Sequence, residues 1–181
     1  MTRPIYRPPW RIDLDVRDGV RSPVAGAALA RAVAAALGAG GAPAPASIGL
    51  ILTDDAELAG LNAQHLGKHG PTDVLSFPLL PPEAFPPHPG RVPVVAAARR
   101  FALPPGRRPH LGDIVVSVER AIDQAESGRG GHTGDVHWSA AHELRLLVTH
   151  GTLHACGWDH AEPDEETAMR ALERRLLAKA R

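Results

Sequence analysis

From His137 to Cys156 the chain has no proline and only Gly151 as glycine, and it sets Leu144, Leu147 and Val148 at helical spacing. This stretch is predicted to be the central helix. Its end reads His150-Gly151-Thr152-Leu153-His154-Ala155-Cys156-Gly157-Trp158-Asp159-His160. Residues four apart on an α-helix are separated by one turn plus roughly 40° and by a rise of about 6 Å, so His150 and His154 project from one face and can reach a single ion. Gly157 is the residue type that ends helices in the left-handed conformation, letting the chain turn back and present His160 from outside the helix. Three imidazoles with an open fourth position are the donor set of a catalytic rather than a structural zinc, because structural sites close with four protein ligands. Such an ion activates hydroxyl nucleophiles near neutral pH and polarises phosphoryl or carbonyl oxygens, so the site suits hydrolysis.

In a chain with ten histidines a pair four apart arises readily by chance, and the glycine turn and third histidine are what make the signal specific. Cys156 lies on a different face from the two helical histidines and is read as a packing residue, not a fourth ligand. Asp159 can orient a ligand imidazole by accepting its other N–H, or it can cap a turn. The HxxxHxxGxxH spacing also occurs in the metzincin proteases, whose general-base glutamate directly follows the first histidine. Here that position is Gly151, so peptide hydrolysis lacks its proton acceptor.

Charge and composition narrow the class. The formal net charge is zero, which excludes a chain-wide basic surface and makes any nucleic-acid contact local. Cys156 is the only cysteine, so no intrachain disulfide is possible and no disulfide-linked partner is expected. Pro4, Pro8 and Pro9 interrupt the start, and no run approaches the roughly 18 apolar residues of a membrane span, so a cytoplasmic protein without membrane attachment is expected.

The 181 residues suit one domain. Period-two alternation predicts a strand over Trp10–Arg17, and Ser22-Pro23 predicts the start of an alanine-rich helix ending near Gly38. Ser47–Thr53, Asp73–Phe77 and Gly112–Val118 read as further strands. Asp54 with Glu57 resembles a capping box opening a helix through about His65. Helices are also predicted from Glu119 and over about Pro163–Ala178, and Ser127–Gly134 reads as a loop. Residues 78–110, rich in proline, are predicted to be a largely irregular surface insertion.

With Gly151, Leu153, Gly157 and Asp159 included, the histidine segment resembles the HGxLHLxGYDH motif of the YbeY family, bacterial endoribonucleases of ribosomal RNA maturation. Pro71–Pro78 (PTDVLSFP) resembles that family's TDVLSFP segment, and Leu111–Ser117 (LGDIVVS) resembles its LGDIVIS strand. Leu61-Asn62 and Gly67-Lys68 match the lead-in, and the order agrees over residues about 47–175. The resemblance implies an α+β fold, a small mixed β-sheet packed by helices with the zinc site on a central helix and the following turn. It implies one zinc ion on His150, His154 and His160. It further implies cleavage of single-stranded RNA, with the ribosomal RNA of the small ribosomal subunit as substrate and a part in ribosome quality control.

Where the family carries an aromatic and then an arginine before Gly-Lys, this chain has His65 and Leu66. An arginine near the metal would hold the scissile phosphate, and leucine does not. Lys68, Arg145 and the insertion's Arg99, Arg100, Arg107 and Arg108 are the candidate RNA-binding cations. Asp73 is a candidate proton acceptor or anchor near the metal, and Thr72 and Ser76 are candidate donors to phosphate. Two other readings stay open: a ribosome-assembly RNA-binding factor whose metal is structural, and a zinc hydrolase of another substrate such as peptide.

Overall fold

A computed structural model describes residues 2–70, 72–89, 108–127 and 139–179. The sheet is mixed, as expected. Strand β1 (Arg3–Arg7) pairs antiparallel with β2 (Trp10–Val16), which runs parallel to β3 (Ala46–Thr53). Strand β5 (His110–Ser117) lies parallel to β3 and antiparallel to β4 (Val74–Pro78), giving the order β1-β2-β3-β5-β4.

Alternation along these strands sends successive side chains to opposite faces. Ile12, Leu14, Ile48, Leu50, Leu52, Ile114 and Val116 face the main core, where helices α1 (Gly26–Ala39) and α4 (Ala140–Ala155) bury Leu29, Val33, Leu144 and Val148. Val115 and Leu75 point the other way, onto Leu58 of α2 (Asp55–Leu66). Helix α3 (Val118–Glu126) packs beside α4, and α5 (Pro163–Lys179) packs on α4 and α1. No described helix is long and apolar enough to cross a membrane.

Strand β1 was not anticipated, because prolines punctuate its sequence. Its place resolves the conflict: β1 is an edge strand, where Pro4, lacking an N–H, can sit opposite Asp13 without breaking an interior ladder. Helix α1 begins later than Ser22-Pro23 suggests, since the Ser22 hydroxyl is engaged with Val24 in a local turn. The expected cap of α2 is half present. Asp54 accepts from the Glu57 amide at 2.9 Å, but the Glu57 carboxylate turns to Arg17 and Thr53 instead of back to the helix start. Helix α4 is capped by Ser139, and His137 and Trp138 of the predicted helix lie outside the described residues.

Of the proline-rich stretch, residues 90–107 lie outside the described residues, as do residues 128–134 of the glycine-rich loop and 135–138 after it. The remainder is irregular apart from a single turn of 3-10 helix at Pro82–Ala84 and the strand ends at Pro78 and His110. Phe85 departs from a purely surface segment, being buried in the main core. Phe85→Ala is therefore expected to lower stability by about 3 kcal/mol in urea unfolding, the cost of emptying a buried aromatic site, and a loss under about 1 kcal/mol would show that Phe85 is not a core residue.

Candidate metal centre

Helix α4 comes close to the sheet because residue 151 has no side chain. A Cβ on Gly151 would stand 2.7 Å from Ile114 Cγ2 and 2.8 Å from Val74 Cγ2. At that spacing the Ser76 hydroxyl donates to the Gly151 carbonyl at 2.9 Å, so Ser76 is a tie between β4 and α4 and its proton is committed there. The glutamate found at this position in the metzincins has no room here.

The helix places His150 and His154 one turn apart, with their Nε2 atoms 3.0 Å apart. Gly157, at φ 78°, reverses the chain as predicted, and His160 completes a cluster whose ligand atoms all lie within 4.8 Å of one another. Two imidazoles are anchored on their far sides. His154 Nδ1 donates to the Trp158 carbonyl at 2.8 Å, and His150 Nδ1 lies 2.7 Å from the Glu173 carboxylate of α5. A carbonyl and a carboxylate accept, so both Nδ1 atoms carry the proton and the two Nε2 lone pairs are turned toward each other. A cation between them would reconcile two facing acceptors, and with the third converging imidazole the three residues fit a metal ion. Tetrahedral ligands at about 2.1 Å stand roughly 3.4 Å apart, close to the 3.0 Å of the His150–His154 pair and inside the 4.8 Å spread of the three.

Burial, and then the neighbouring His150 and His160, push the His154 imidazole down to about 4, so at neutral pH it is the uncharged ring a metal requires. Cys156 is buried away from the cluster and its thiol is pushed up to about 12 by burial, which agrees with a packing role.

The cluster lies in a cleft of about 680 Å³ between β4 and α5. Asp73 lines it, its carboxylate held by the Val74 amide (2.9 Å), the Thr72 hydroxyl (3.3 Å) and the Gln124 amide (3.2 Å). Thr72 thus donates to Asp73. Asp159 lines it too, but its carboxylate accepts from the His160 amide at 2.7 Å and caps the turn. The carboxylate hydrogen-bonded to an imidazole of the cluster is Glu173, which sequence reasoning missed. Its signal was present: Met169, Leu172, Glu173 and Leu176 form the i, i+3, i+4, i+7 stripe of α5, and an acidic residue inside an apolar stripe calls for a buried partner.

Lys68 is exposed, Arg145 is half-buried on α4, and neither lines the cleft. Arg108 donates to the Pro9 carbonyl at 2.7 Å, while Arg99, Arg100 and Arg107 lie outside the described residues. Leu66 lines the cleft at 56% exposure. Among the described lining residues the one Lys or Arg is Arg170 of α5, another residue the sequence reading passed over.

A family model described as Endoribonuclease YbeY matches residues 21–181. Proteins named Endoribonuclease YbeY from Mycobacterium sp. (strain KMS) and Mycolicibacterium smegmatis are each 41% identical over 134 residues, covering 73% of this chain and 63% and 62% of theirs. The chain thus spans a little under two thirds of the length of these curated relatives. The solution structure of TM1509 from Thermotoga maritima aligns over 94% of this chain and 88% of its own, at a TM-score of 0.48 and 21% identity.

The contacts of residue 151 give a direct check. Gly151→Ala is expected to destabilise the fold by roughly 1–3 kcal/mol through overpacking, with part of the loss recovered when Val74→Ala is added. A neutral Gly151→Ala in urea unfolding would contradict the close seating of α4.

Proposed function

The chain belongs to the YbeY endoribonuclease family, and from that premise we propose that it is a zinc-dependent endoribonuclease acting on single-stranded RNA in maturation and quality control of the small ribosomal subunit in the cytoplasm. The observation that carries this reading is the convergence of three imidazole nitrogens within 4.8 Å, two of them with facing lone pairs, in a cleft large enough for part of a nucleotide chain.

His150, His154 and His160 are the proposed ligands. When bound, zinc supplies Lewis acidity at the phosphodiester and acidifies the attacking hydroxyl. The chain's own residues do the rest. The cleft is concave, and a single strand can bend its phosphate into it, whereas an A-form duplex presents a rigid convex backbone. Asp73, fixed by its three donors at the cleft wall, is the proposed acceptor of the nucleophile's proton. Arg170 is the proposed phosphate clamp in place of the arginine absent at Leu66. It is paired with Glu166 at 2.5 Å across one helical turn, both side chains well exposed. Such pairs are weak, so a phosphate can take the guanidinium over with charge-assisted hydrogen bonds.

The cleft also holds Asp73, Asp159, Glu166 and Glu173, so against a polyanion the bound dication is required as much for affinity as for chemistry. A second reading, an RNA-binding assembly factor with a structural metal, is favoured by Leu66 alone.

Purified protein is expected to contain about one zinc per chain and to cut single-stranded RNA in preference to duplex. His154→Ala should stay folded and lose at least about 100-fold in cleavage, and stripping the metal should weaken RNA binding as well. A folded, zinc-loaded protein that leaves both RNAs intact would move the assignment to the assembly factor. A 2′,3′-cyclic phosphate on the product would identify the RNA's own 2′-hydroxyl as nucleophile, and a monophosphate formed at once would identify water. Arg170→Ala is expected to raise KM by about tenfold with kcat less affected, and to flatten the salt dependence of binding by about one phosphate contact. An unchanged KM would remove Arg170 from the RNA path.

A further inference from the structure

A buried carboxylate is costly unless it is paired. Glu173 is 3% exposed, on the stripe of α5 that also buries Met169 and Leu172, and the His150 Nδ1 lies 2.7 Å from its Oε1. A single N–H···O bond offsets only part of the cost of burying a carboxylate. A dication on the opposite ring nitrogen changes the balance: negative carboxylate, polarised imidazole and positive ion fall in line, in surroundings where charges attract more strongly than in water.

We propose that Glu173 is the positioning residue of this centre, setting His150 in the Nδ1–H form and strengthening its Nε2 as a donor to the metal. The inference rests on the reading of the three histidines as ligands. It also assigns a task to α5, which docks on α4 and α1 and contributes both Arg170 and Glu173 to the cleft. Of the other two ligands, His154 receives its orienting contact from the Trp158 carbonyl within the same turn. His150 takes its orienting contact from a distant part of the chain, 23 residues on, and from a charged group. The Glu173 carboxylate is the strongest acceptor in the set, so its removal weakens the metal through one ligand and leaves the other two as they are.

The test uses the full chain, with zinc affinity measured by competition against a chromophoric chelator and the visible spectrum recorded after cobalt substitution. Glu173→Gln keeps the size and removes the charge. It is expected to bind zinc about 10–100-fold more weakly and to shift the cobalt bands, with the circular dichroism of the metal-free protein unchanged. In a His150→Ala background the same substitution should alter affinity by less than about twofold, because its route to the metal is already gone. Glu173→Asp, which keeps the charge but draws it back by one methylene, should also bind more weakly and serves where the glutamine variant does not fold. Affinity within about twofold of the parent in Glu173→Gln, or an equal loss in both backgrounds, would overturn the proposal and leave Glu173 a helix-packing contact. A parent chain that binds neither zinc nor cobalt overturns the metal reading itself, and this inference with it.

Discussion

The seating of α4 on β4 and β5 is the constraint from which the centre follows. Gly151 has no Cβ, so the helix backbone approaches until Ser76 can bond its carbonyl, with Ile114 and Val74 filling the space a side chain would need. The same approach aims His150 and His154, on either side of Gly151 along the helix, into the cleft between β4 and α5. A larger residue would move both imidazoles away from His160, whose place is set separately by the turn at Gly157. That turn has its own brace. His88 stacks on Trp158 with ring centroids 4.1 Å apart and lies 3.1 Å from the Gly157 carbonyl through Nε2, so the end of the described proline-rich segment supports the third histidine.

Electrostatics then decides what such a cleft can admit. Among the described residues four carboxylates and one arginine line it beside the histidines, an inventory that disfavours a polyanion unless a dication is added. His154, held down at about 4 by burial and its neighbours, is ready to receive that ion at neutral pH. This is the setting of the phosphodiester chemistry proposed above, in which metal and substrate affinity would be coupled.

Much of this was legible in the chain because it is local. The spacing of His150, His154 and His160 with Gly157 between them fixes which side chains meet, and the alternation in β2, β3 and β5 fixes which faces are buried. The misses share one physical origin, long-range partnership. Nothing near Glu173 in sequence says that its partner is His150. Strand β1 was hidden because its prolines argue against a strand until its edge position is known. Arg170 was passed over because an arginine four residues from a glutamate on a helix reads as an ordinary surface pair, and only the packing of α5 brings it to the cleft.

Three imidazoles, and no sulfur, are proposed to hold one metal ion. X-ray absorption at the zinc edge of the purified protein reads the donor atoms themselves. The expected result is a shell of nitrogen and oxygen scatterers at about 2.0–2.1 Å with the outer signature of imidazole rings. A sulfur scatterer at about 2.3 Å, which would bring Cys156 into the site, or no bound zinc at all, would contradict it.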